Sequence, residues 1–395
     1  MKEKVINYFT ERFGFKPEVF AFAPGRLEIL GNHTDYNEGF VLSTAVNLGT
    51  YFACRKVGGS TCSVSLDVKG LNDDREREFS LLNLNEKQPK DWANYIKGVI
   101  VELQKRGYSV PAFEAAIMST VPLSAGMSSS ASLEMAVCYA VGKLIERYTD
   151  SNVFDKISKA EWAKIGQGCE NSYVGANTGL LDQFSSVMGK KDHLVFSDFR
   201  TLEVRNIPLP HNLAMVIANT FVTHDLTEEY GERRQSCEAA AAFFYGEDQA
   251  KTHLRDVSVV ELEAAKGKLS ETAYKRARHV VGEDERVIAG NALLKAGRIV
   301  EFGKLMNESH ESSINFFENS CPELDALVAA GSSLDGHIGA RLSGGGFGGI
   351  SVHFVEKAKV EDYAMQLKMR YRERTGKEAE TIICVSGDGA YVETV

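Results

Sequence analysis

The sequence has few of the features that mark a secreted, membrane-bound or nucleic-acid-binding protein. Its seven cysteines are scattered, odd in number and free of any Cys-x-x-Cys pair or zinc spacing, which argues against a disulfide framework and favours reduced thiols. Lysines and arginines total 45 against 54 aspartates and glutamates, so the basic face that nucleic acid requires is not expected. No run approaches the roughly 18 apolar residues of a membrane helix, and residues 1–10 carry charges where a signal peptide has its apolar core. We expect a cytoplasmic protein without a nucleic-acid or membrane partner.

Internal repeats, low-complexity tracts and proline-rich linkers are also missing, and there are only eight prolines. Domain boundaries are therefore weakly marked, although the length of 395 residues predicts about two to three domains. Periodicity predicts a strong helix from Ala131, a second helix over 160–174 and a mostly helical stretch over 228–330. Because helices and strands do not alternate regularly, we predict an α+β fold, with an N-terminal domain over 1–205 and a C-terminal domain over 206–395.

The sequence does contain a dense polar run between the glycines at 25, 31 and 39. It combines a cation, acids, an amide, an imidazole and a phenol: Arg26, Glu28, Asn32, His33, Asp35 and Tyr36. Such a mixture can hydrogen-bond a ligand covered in hydroxyl groups, and the glycines allow tight turns close to that ligand. Taken alone, the run is equally compatible with an ordinary polar loop after a strand.

A second segment, 120–133, joins a predicted strand to the strong helix through small residues. Small side chains let backbone N–H groups surround an anion, the start of a helix adds unpaired donors, and hydroxyls can bind Mg²⁺. The segment has neither the Gly-Lys-Ser/Thr ending of a Walker A loop nor a G-x-G-x-x-G pattern. It predicts a phosphate-binding loop, and a serine-rich helix cap is the alternative.

Two further segments place acids and glycines where a ligand could approach. Glu170 ends a predicted helix and Asp182 follows a glycine-rich turn, so one carboxylate could hold a metal and the other could accept a hydroxyl proton. A turn or capping role is the alternative for Asp182. Five glycines surround Phe347, a pattern that suits close approach to a ligand or simply a glycine-rich hairpin.

In this order the four segments resemble those of the GHMP small-molecule kinases, and within them the galactokinase family. The family's first motif, Gly-Arg-x-Asn-hydrophobic-Ile-Gly-Glu-His-x-Asp-Tyr-Asn, matches 25–37 except at two polar positions and one apolar position. The phosphate-loop motif matches 122–131, with Met127 replacing the usual leucine, and Gly-Gly-Gly-Phe-Gly-Gly is intact at 344–349. The resemblance extends over essentially the whole chain.

The resemblance implies two α+β domains, the first like the second domain of ribosomal protein S5 and the second ferredoxin-like, with the active site in the cleft. It implies ATP-dependent phosphorylation of galactose at its anomeric hydroxyl, with Asp182 as general base or electrostatic partner and Arg26 beside it. Sugar-binding positions are Glu28, Asn32, His33, Thr34, Asp35, Gly179 and Tyr230. Nucleotide-binding positions are Trp92, Ser124, Ala125, Gly126, Met127, Ser128, Ser129 and Ser130. The Mg²⁺-ligand positions are Ser130 and Glu170. A monomer or weak homo-oligomer is expected.

One departure from the family pattern affects the choice of sugar. The family has Asn where this chain has Glu28, and Glu where it has Asn32, a residue that helps hold the sugar's 6-hydroxyl. On an extended strand the two side chains share a face, so we expect Glu28 to replace the displaced acid and galactose to remain the best substrate. Alternatives are a 1-kinase for galacturonate, for a 6-deoxy sugar or for N-acetylgalactosamine. A non-catalytic sugar sensor is disfavoured because the serine loop at 128–132 is unbroken.

Overall fold

The computed structural model describes residues 1–68, 75–122, 126–149, 151–222 and 227–395. The strands are β1 (Val19–Leu30), β2 (Phe40–Lys56), β3 (Thr61–Asp67), β4 (Glu76–Ser80), β5 (Phe113–Ser119), β6 (His193–Asp198), β7 (Glu203–Pro208), β8 (Leu213–Asn219), β9 (His337–Ser343), β10 (Ile350–Glu356), β11 (Glu380–Cys384) and β12 (Tyr391–Thr394). The α-helices are α1 (Lys2–Phe13), α2 (Ala93–Lys105), α3 (Ser129–Tyr148), α4 (Val153–Lys156), α5 (Lys159–Gly168), α6 (Leu181–Met188), α7 (Thr227–Glu247), α8 (Val259–Ala264), α9 (Glu271–Lys295), α10 (Ile299–Ser312), α11 (Pro322–Ser332) and α12 (Val360–Thr375). The predicted α+β class is confirmed.

The larger sheet has the strand order β12-β1-β2-β5-β3-β4, and its long strand β2 also pairs with β6, which pairs with β7. All of these pairs are antiparallel except β3 with β5. The register between β1 and β2 shifts after Pro24 and again after Glu28. Such shifts bend a strand and redirect its side chains, and the segment between the two shifts carries Arg26 and Glu28.

The smaller sheet is antiparallel, with the order β11-β8-β10-β9. A shared core joins it to the larger sheet: Leu27 and Leu42 from the larger sheet belong to the same buried cluster as Ile217 and Phe354 from the smaller one. Because burial of apolar area is the main favourable term in folding, this cluster holds the facing ends of the two sheets together. The cleft that contains the site opens beside it.

The chain passes from the larger sheet to the smaller one between β7 and β8. The domain boundary predicted near residue 205 lies slightly earlier, inside β7. The last strand, β12, returns to pair with β1 in the larger sheet. We keep the two-domain division as a proposal, with the boundary moved to the β7–β8 link and β12 assigned to the first domain.

The helix predicted over 160–174 is α-helical only as far as Gly168 and continues as a π-helical turn over Cys169–Val174. Gly175, with a φ of 93°, ends this turn, and the N–H groups of Gly175 and Ala176 both donate to the carbonyl of Glu170. A left-handed φ of this kind costs glycine little.

In the described part of the chain, no helix has both the length and the apolar character needed to cross a membrane.

Candidate active site

A cavity of about 320 Å³ opens where the four polar and glycine-rich segments meet. Each of the four contributes to its wall, and α7 adds a tyrosine. The lining residues that the sequence singled out for ligand binding are Arg26, Glu28, Asn32, His33, Asp35, Gly126, Ser128, Ser129, Ser130, Gly179, Asp182 and Tyr230. Residues as far apart in the sequence as Arg26 and Gly345 are therefore neighbours here.

Asp182 follows the segment around Gly179, as the sequence predicted, and lies in the first turn of α6. Arg26 Nε and Nη2 are each 2.7 Å from Asp182 Oδ1, and Ser128 Oγ donates to Oδ2. The Arg26 side chain is only 5% exposed, whereas that of Asp182 is 26% exposed. The cavity therefore presents a carboxylate paired with an arginine, and part of the carboxylate surface is free to contact a ligand.

The phosphate-loop segment bends sharply before α3 begins. Gly126 and Ser128 have φ values of 69° and 55°, both left-handed. The backbone N–H of Arg26 donates to Met127 O at 3.1 Å, and Arg26 Nη1 donates to Gly126 O at 2.5 Å. The Ser128 side chain makes no cap hydrogen bond to α3 and instead contacts Asp182. The first-turn N–H groups of a helix have no intrahelical acceptor, and here Ser129 and Ser130 bring them to the cavity wall.

Glu170 is buried just behind this wall. Its Oε2 accepts from Thr178 Oγ1 at 2.7 Å and from Gln183 Nε2 at 3.0 Å. Burial raises the pKa of the Glu170 carboxyl and the charge of Asp182 adds to this, while the hydroxyls of Ser130 and Thr178 act in the opposite direction. Gln183 Nε2 also donates to Glu134 Oε2 at 2.9 Å, so two buried acids share one amide.

These oxygens suit a hard divalent cation. Among the described residues, no lysine or arginine forms an ion pair with Glu170, and no group of three or more histidine, cysteine, aspartate or glutamate side chains could form a complete metal site. Mg²⁺ prefers oxygen ligands and is commonly held by one or two carboxylates together with water and substrate phosphates. The donor set around Glu170 and Ser130 therefore fits Mg²⁺ held jointly with phosphates.

His33 forms an aromatic wall of the cavity with Tyr230, whose ring centroid is 5.1 Å away. Its Nε2 lies 3.3 Å from Gly345 O, so Nε2 carries the proton and Nδ1, 3.0 Å away, accepts from the hydroxyl of Tyr36. Burial lowers the pKa of His33 to about 3. The imidazole is therefore neutral at physiological pH and contributes shape and hydrogen bonding rather than charge.

Asp35 and Gly179 meet at another point of the wall. Asp35 Oδ2 accepts from the Leu181 N–H at 3.2 Å, and burial, reinforced by Asp182 and Glu28, raises the pKa of Asp35 to about 6. A Cβ atom added to Gly179 would lie 1.7 Å from Asp35 Oδ2. Position 179 must therefore lack a side chain if Asp35 is to keep its place.

Glu28 and Asn32, the exchanged pair, do face each other. Asn32 Nδ2 donates to Glu28 Oε1 at 2.8 Å and to Gly344 O at 2.9 Å. Arg341 Nη1 donates to the same Glu28 oxygen at 2.8 Å, and the Arg341 side chain is completely buried. Burial raises the pKa of the Glu28 carboxyl, whereas Arg341 and Arg26 oppose that shift.

Several predicted site residues are placed elsewhere. Thr34 is fully buried and donates its hydroxyl to Gly31 O and Phe40 O, so it does not line the cavity. The Met127 side chain packs in the core shared by the two sheets, which leaves only its backbone near the loop. Ser124 and Ala125 lie outside the described residues.

Trp92 lines a separate, largely apolar cavity of about 160 Å³, together with Tyr95, Leu133, Ser129 and Ser130. Ser129 and Ser130 belong to both cavities, so the start of α3 connects them. Ligand pockets are commonly apolar with a few polar groups, and this cavity has that character.

Sequence reasoning missed Arg341 and Asn319, which stand behind the cavity. Arg341 lies in β9 directly before the glycine-rich segment, and an arginine between alanine and leucine in a strand was the available signal. Asn319 donates to Asn32 Oδ1 at 3.0 Å and to Gly345 O at 3.0 Å from a loop whose sequence carries no comparable signal.

The fold is that of a GHMP kinase. Family models match the GHMP kinase N-terminal domain over 94–190, the GHMP kinase C-terminal region over 291–368, and the galactokinase galactose-binding signature over 7–56. Galactokinases from Mannheimia succiniciproducens and Roseiflexus sp. are 40% and 38% identical to the chain; the first match covers 99% of both chains, the second 96% of this chain and 94% of the relative. The chain belongs to the galactokinase family.

Comparison with solved structures supports the same family. The structure of Lactococcus lactis galactokinase complexed with galactose superposes with a TM-score of 0.89 at 32% identity and covers 98% of each chain. A mevalonate kinase matches with a TM-score of 0.61 at 17% identity, covering 94% of this chain and 99% of that chain, which shows the shared fold alone. The predicted family and fold are confirmed.

Proposed function

We propose that this protein transfers the γ-phosphoryl group of ATP to the anomeric hydroxyl of galactose, giving galactose 1-phosphate and ADP. The observation that carries the proposal is the cluster of Arg26, Asp182 and Ser128, which lies where the polar cavity meets the start of α3. The galactose-binding signature over 7–56 contains Arg26 and the other polar residues of that run, and a relative of 32% identity was solved with galactose.

In this reaction the anomeric oxygen forms a bond to the γ-phosphorus while the bond from that phosphorus to the bridging oxygen of ADP breaks. Asp182 accepts the hydroxyl proton or stabilises its departure, and Arg26 neutralises charge on the transferring group. Phosphoryl transfer depends mainly on positioning and charge neutralisation, so no covalent intermediate with the protein is needed.

Backbone N–H groups at 126–130 bind the phosphates, and the cavity beside Trp92 takes the adenine. Mg²⁺, when bound, would be held by Ser130 and Glu170 and would neutralise phosphate charge. His33, Asp35 and Tyr230 hold sugar hydroxyls, while Gly179 leaves room for Asp35. We also propose that the protein is cytoplasmic and is a monomer or a weakly associating homo-oligomer.

A sugar with a carboxylate at C6 is the less suitable substrate. The idea that Asn32 could donate to such a carboxylate loses support, because Asn32 already donates to Glu28 and Gly344 and an amide has only two donor hydrogens. The carboxylates of Glu28 and Asp35 in the cavity wall would also repel a uronate.

The test is ATP consumption by the purified protein across galactose, its C6 and C2 variants, N-acetylgalactosamine and glucose. Galactose should give the highest kcat/KM. Turnover that is faster with another sugar would reject galactose as the substrate, and sugar binding without turnover on any of them would favour a sensor.

A further inference from the structure

Gln183 is a completely buried glutamine that directly follows Asp182 on α6. Its Nε2 donates to Glu170 Oε2 at 3.0 Å and to Glu134 Oε2 at 2.9 Å. An amide nitrogen carries two hydrogens, so both are used on carboxyl groups. If the amide were reversed, its oxygen would face the same two carboxyl groups, and the observed orientation is therefore the favourable one.

The contact with Gln183 fixes one of the two oxygens of Glu170. Oε2 accepts from Gln183 and also from Thr178 Oγ1 at 2.7 Å, so it is held from two directions. Oε1 is then the oxygen that remains for a cation. The hydroxyl of Ser130, a residue of the cavity wall, interacts with the same carboxyl group. Partners of this kind, which stand behind a metal ligand, set the direction in which the ligand points.

Glu134 lies behind Gln183 and lines neither the polar cavity nor the largely apolar one. It is on α3, four residues after Ser130, and is completely buried. Its Oε1 has no hydrogen-bond partner in the described part of the chain, and the charged side chains that act on it most, Glu170 and Asp182, are both acids. An apolar residue at this position would avoid the cost of burying an acid. The contact with Gln183 gives Glu134 a role that an apolar residue could not fill.

Gly166 on α5 leaves the space in which these side chains meet. A Cβ atom added to Gly166 would lie 2.8 Å from Gln183 Cγ and 3.1 Å from Glu134 Oε2. A methyl group at position 166 would therefore displace Gln183. Residues of α3, α5 and α6 thus all contribute to holding the Gln183 amide against Glu170.

We propose that Gln183 is a positioning residue for Glu170, that Glu134 holds the Gln183 amide in its orientation, and that together they increase the affinity for a Mg²⁺-bound nucleotide. This inference rests on the proposed function for the use of Glu170 as a Mg²⁺ ligand. Neither Gln183 nor Glu134 lines a cavity, so each acts through Glu170 and not on a ligand directly. Because Asp182 and Gln183 are consecutive, the same turn of α6 carries the proposed base and holds the metal ligand.

The first experiment measures the affinity of the full-length protein for a non-hydrolysable ATP analogue by calorimetric titration, once with Mg²⁺ and once with EDTA. The gain in affinity due to Mg²⁺ is compared between the wild type and Gln183→Met, because methionine is similar in length to glutamine but has no donor. The gain should fall about tenfold in Gln183→Met, as is usual when a partner behind a metal ligand is removed. The affinity for the analogue in EDTA and the affinity for galactose should stay at the wild-type values.

Val216→Ala is the control for a general loss of stability. Val216 is completely buried in the core of the smaller sheet and lines neither cavity. Loss of its methyl groups should lower the unfolding temperature and leave the gain due to Mg²⁺ unchanged. A purely structural role for Gln183 would make Gln183→Met behave like this control, so an unchanged gain in Gln183→Met overturns the inference.

A pair of variants at Glu134 tests the inference even if Gln183→Met does not fold. Glu134→Gln keeps an oxygen that can accept from Gln183, whereas Glu134→Leu is similar in size and has no acceptor. The gain due to Mg²⁺ should be retained in Glu134→Gln and should fall severalfold in Glu134→Leu. Equal gains in the two variants overturn the inference.

These titrations do not depend on the turnover of galactose. A protein that binds the ATP analogue but phosphorylates no galactose would refute the proposed function, while the comparison of Gln183→Met with the wild type would still test the inference. A wild-type protein whose affinity for the analogue does not increase with Mg²⁺ would overturn the inference itself.

Discussion

Asp182 is held at two points by groups that leave part of its carboxylate exposed. Arg26 binds Oδ1 through two nitrogens and Ser128 donates to Oδ2. Arg26 in turn donates to Gly126 O, so Asp182, Arg26 and the backbone before α3 belong to one hydrogen-bonded group. This fixed geometry is what a phosphoryl-transfer site requires.

Replacing Asp182→Asn should lower kcat on galactose by about 10²- to 10⁴-fold, because the amide keeps the shape but cannot accept the proton. Thermal unfolding is measured alongside, because the nearly buried Arg26 loses its charged partner in this variant and some loss of stability is expected. Steady-state kinetics and unfolding of this variant are compared with Asp335→Asn, an exposed acid paired with Lys359. Near-normal kcat in Asp182→Asn would refute the role given to Asp182.

Gly179→Ala should weaken galactose binding because the new Cβ would displace Asp35, whose Oδ2 is 1.7 Å from the ideal Cβ position. Calorimetric titration with galactose measures the change. Gly246→Ala on α7 is the control, since nothing lies within 4 Å of its Cβ position. Wild-type affinity in Gly179→Ala would show that Asp35 does not bind the sugar.

At this scale the sequence predicted the chemistry of the residues better than their partners. Arg26 and Asp182 could be named from motifs, but the contact of Arg341 with Glu28 joins positions 313 residues apart, and no local pattern encodes it. Thr34 has the polarity of a ligand-binding residue, yet its hydroxyl satisfies two backbone carbonyls of its own turn. Only the folded backbone distinguishes these uses.

Two helix ends bring together the oxygens proposed to hold Mg²⁺. Ser130 lies in the first turn of α3, and Glu170 lies in the π-helical turn that continues α5. Such turns are frequent at functional sites. Here the N–H groups of Gly175 and Ala176 tie the turn back onto the carbonyl of Glu170.

Ser130→Ala and Glu170→Gln should each raise severalfold the Mg²⁺ concentration that gives half-maximal activity, because each removes an oxygen ligand or a charge. Galactose affinity, measured calorimetrically without nucleotide, should stay unchanged. Glu161→Gln, an exposed acid on α5, is the matched control. Unchanged Mg²⁺ dependence in both variants would leave Ser130 and Glu170 with structural roles only.

The elements themselves were predicted unevenly. The α3 periodicity was strong because Ala136, Val137, Ala140 and Val141 all face the core. The π-turn could not be predicted, since one widened turn hardly changes the apolar spacing. The register shifts in β1 are also invisible in the sequence, because they depend on pairing with β2.

At the scale of the whole molecule, Asp284 connects helix α9 to the larger sheet. It lies on α9, and its Oδ1 accepts from the backbone N–H of Phe40 at the start of β2. Burial raises the pKa of Asp284 from 3.8 to about 7; Arg255 opposes the shift, and Glu283 and Asp198 increase it. Since the folded-state pKa exceeds the unfolded one, ionisation of Asp284 reduces the free energy of unfolding as pH rises from about 4 to about 7.

Asp284→Asn should therefore raise the unfolding temperature at pH 8, and the gain should shrink as pH falls towards 5. Asp256→Asn should do the opposite, because the hydrogen bond from Arg200 lowers the pKa of Asp256 to about 2 and its carboxylate stabilises the fold at neutral pH. Thermal unfolding from pH 5 to 8 measures both. A loss of stability in Asp284→Asn that is the same at every pH would show that burial does not disfavour the charged form of this carboxyl.

Fold class followed from composition and the order of elements, but the domain boundary did not. β12 is four residues long, too short for periodicity to reveal, and it pairs with β1 across almost the whole length of the chain. The core shared by Leu27 and Phe354 likewise depends on how the two sheets meet. Contacts between distant segments are what a single sequence conveys least.

Transfer of phosphate to the anomeric oxygen of galactose is tested most directly by identifying the product. The purified protein is incubated with ATP, Mg²⁺ and galactose, and the product is examined by proton and phosphorus NMR. The phosphorus signal should couple to the proton on C1, as expected for attack by the hydroxyl beside Asp182. Coupling to the C6 protons, or no phosphorylated galactose while another sugar is phosphorylated, would contradict the assignment.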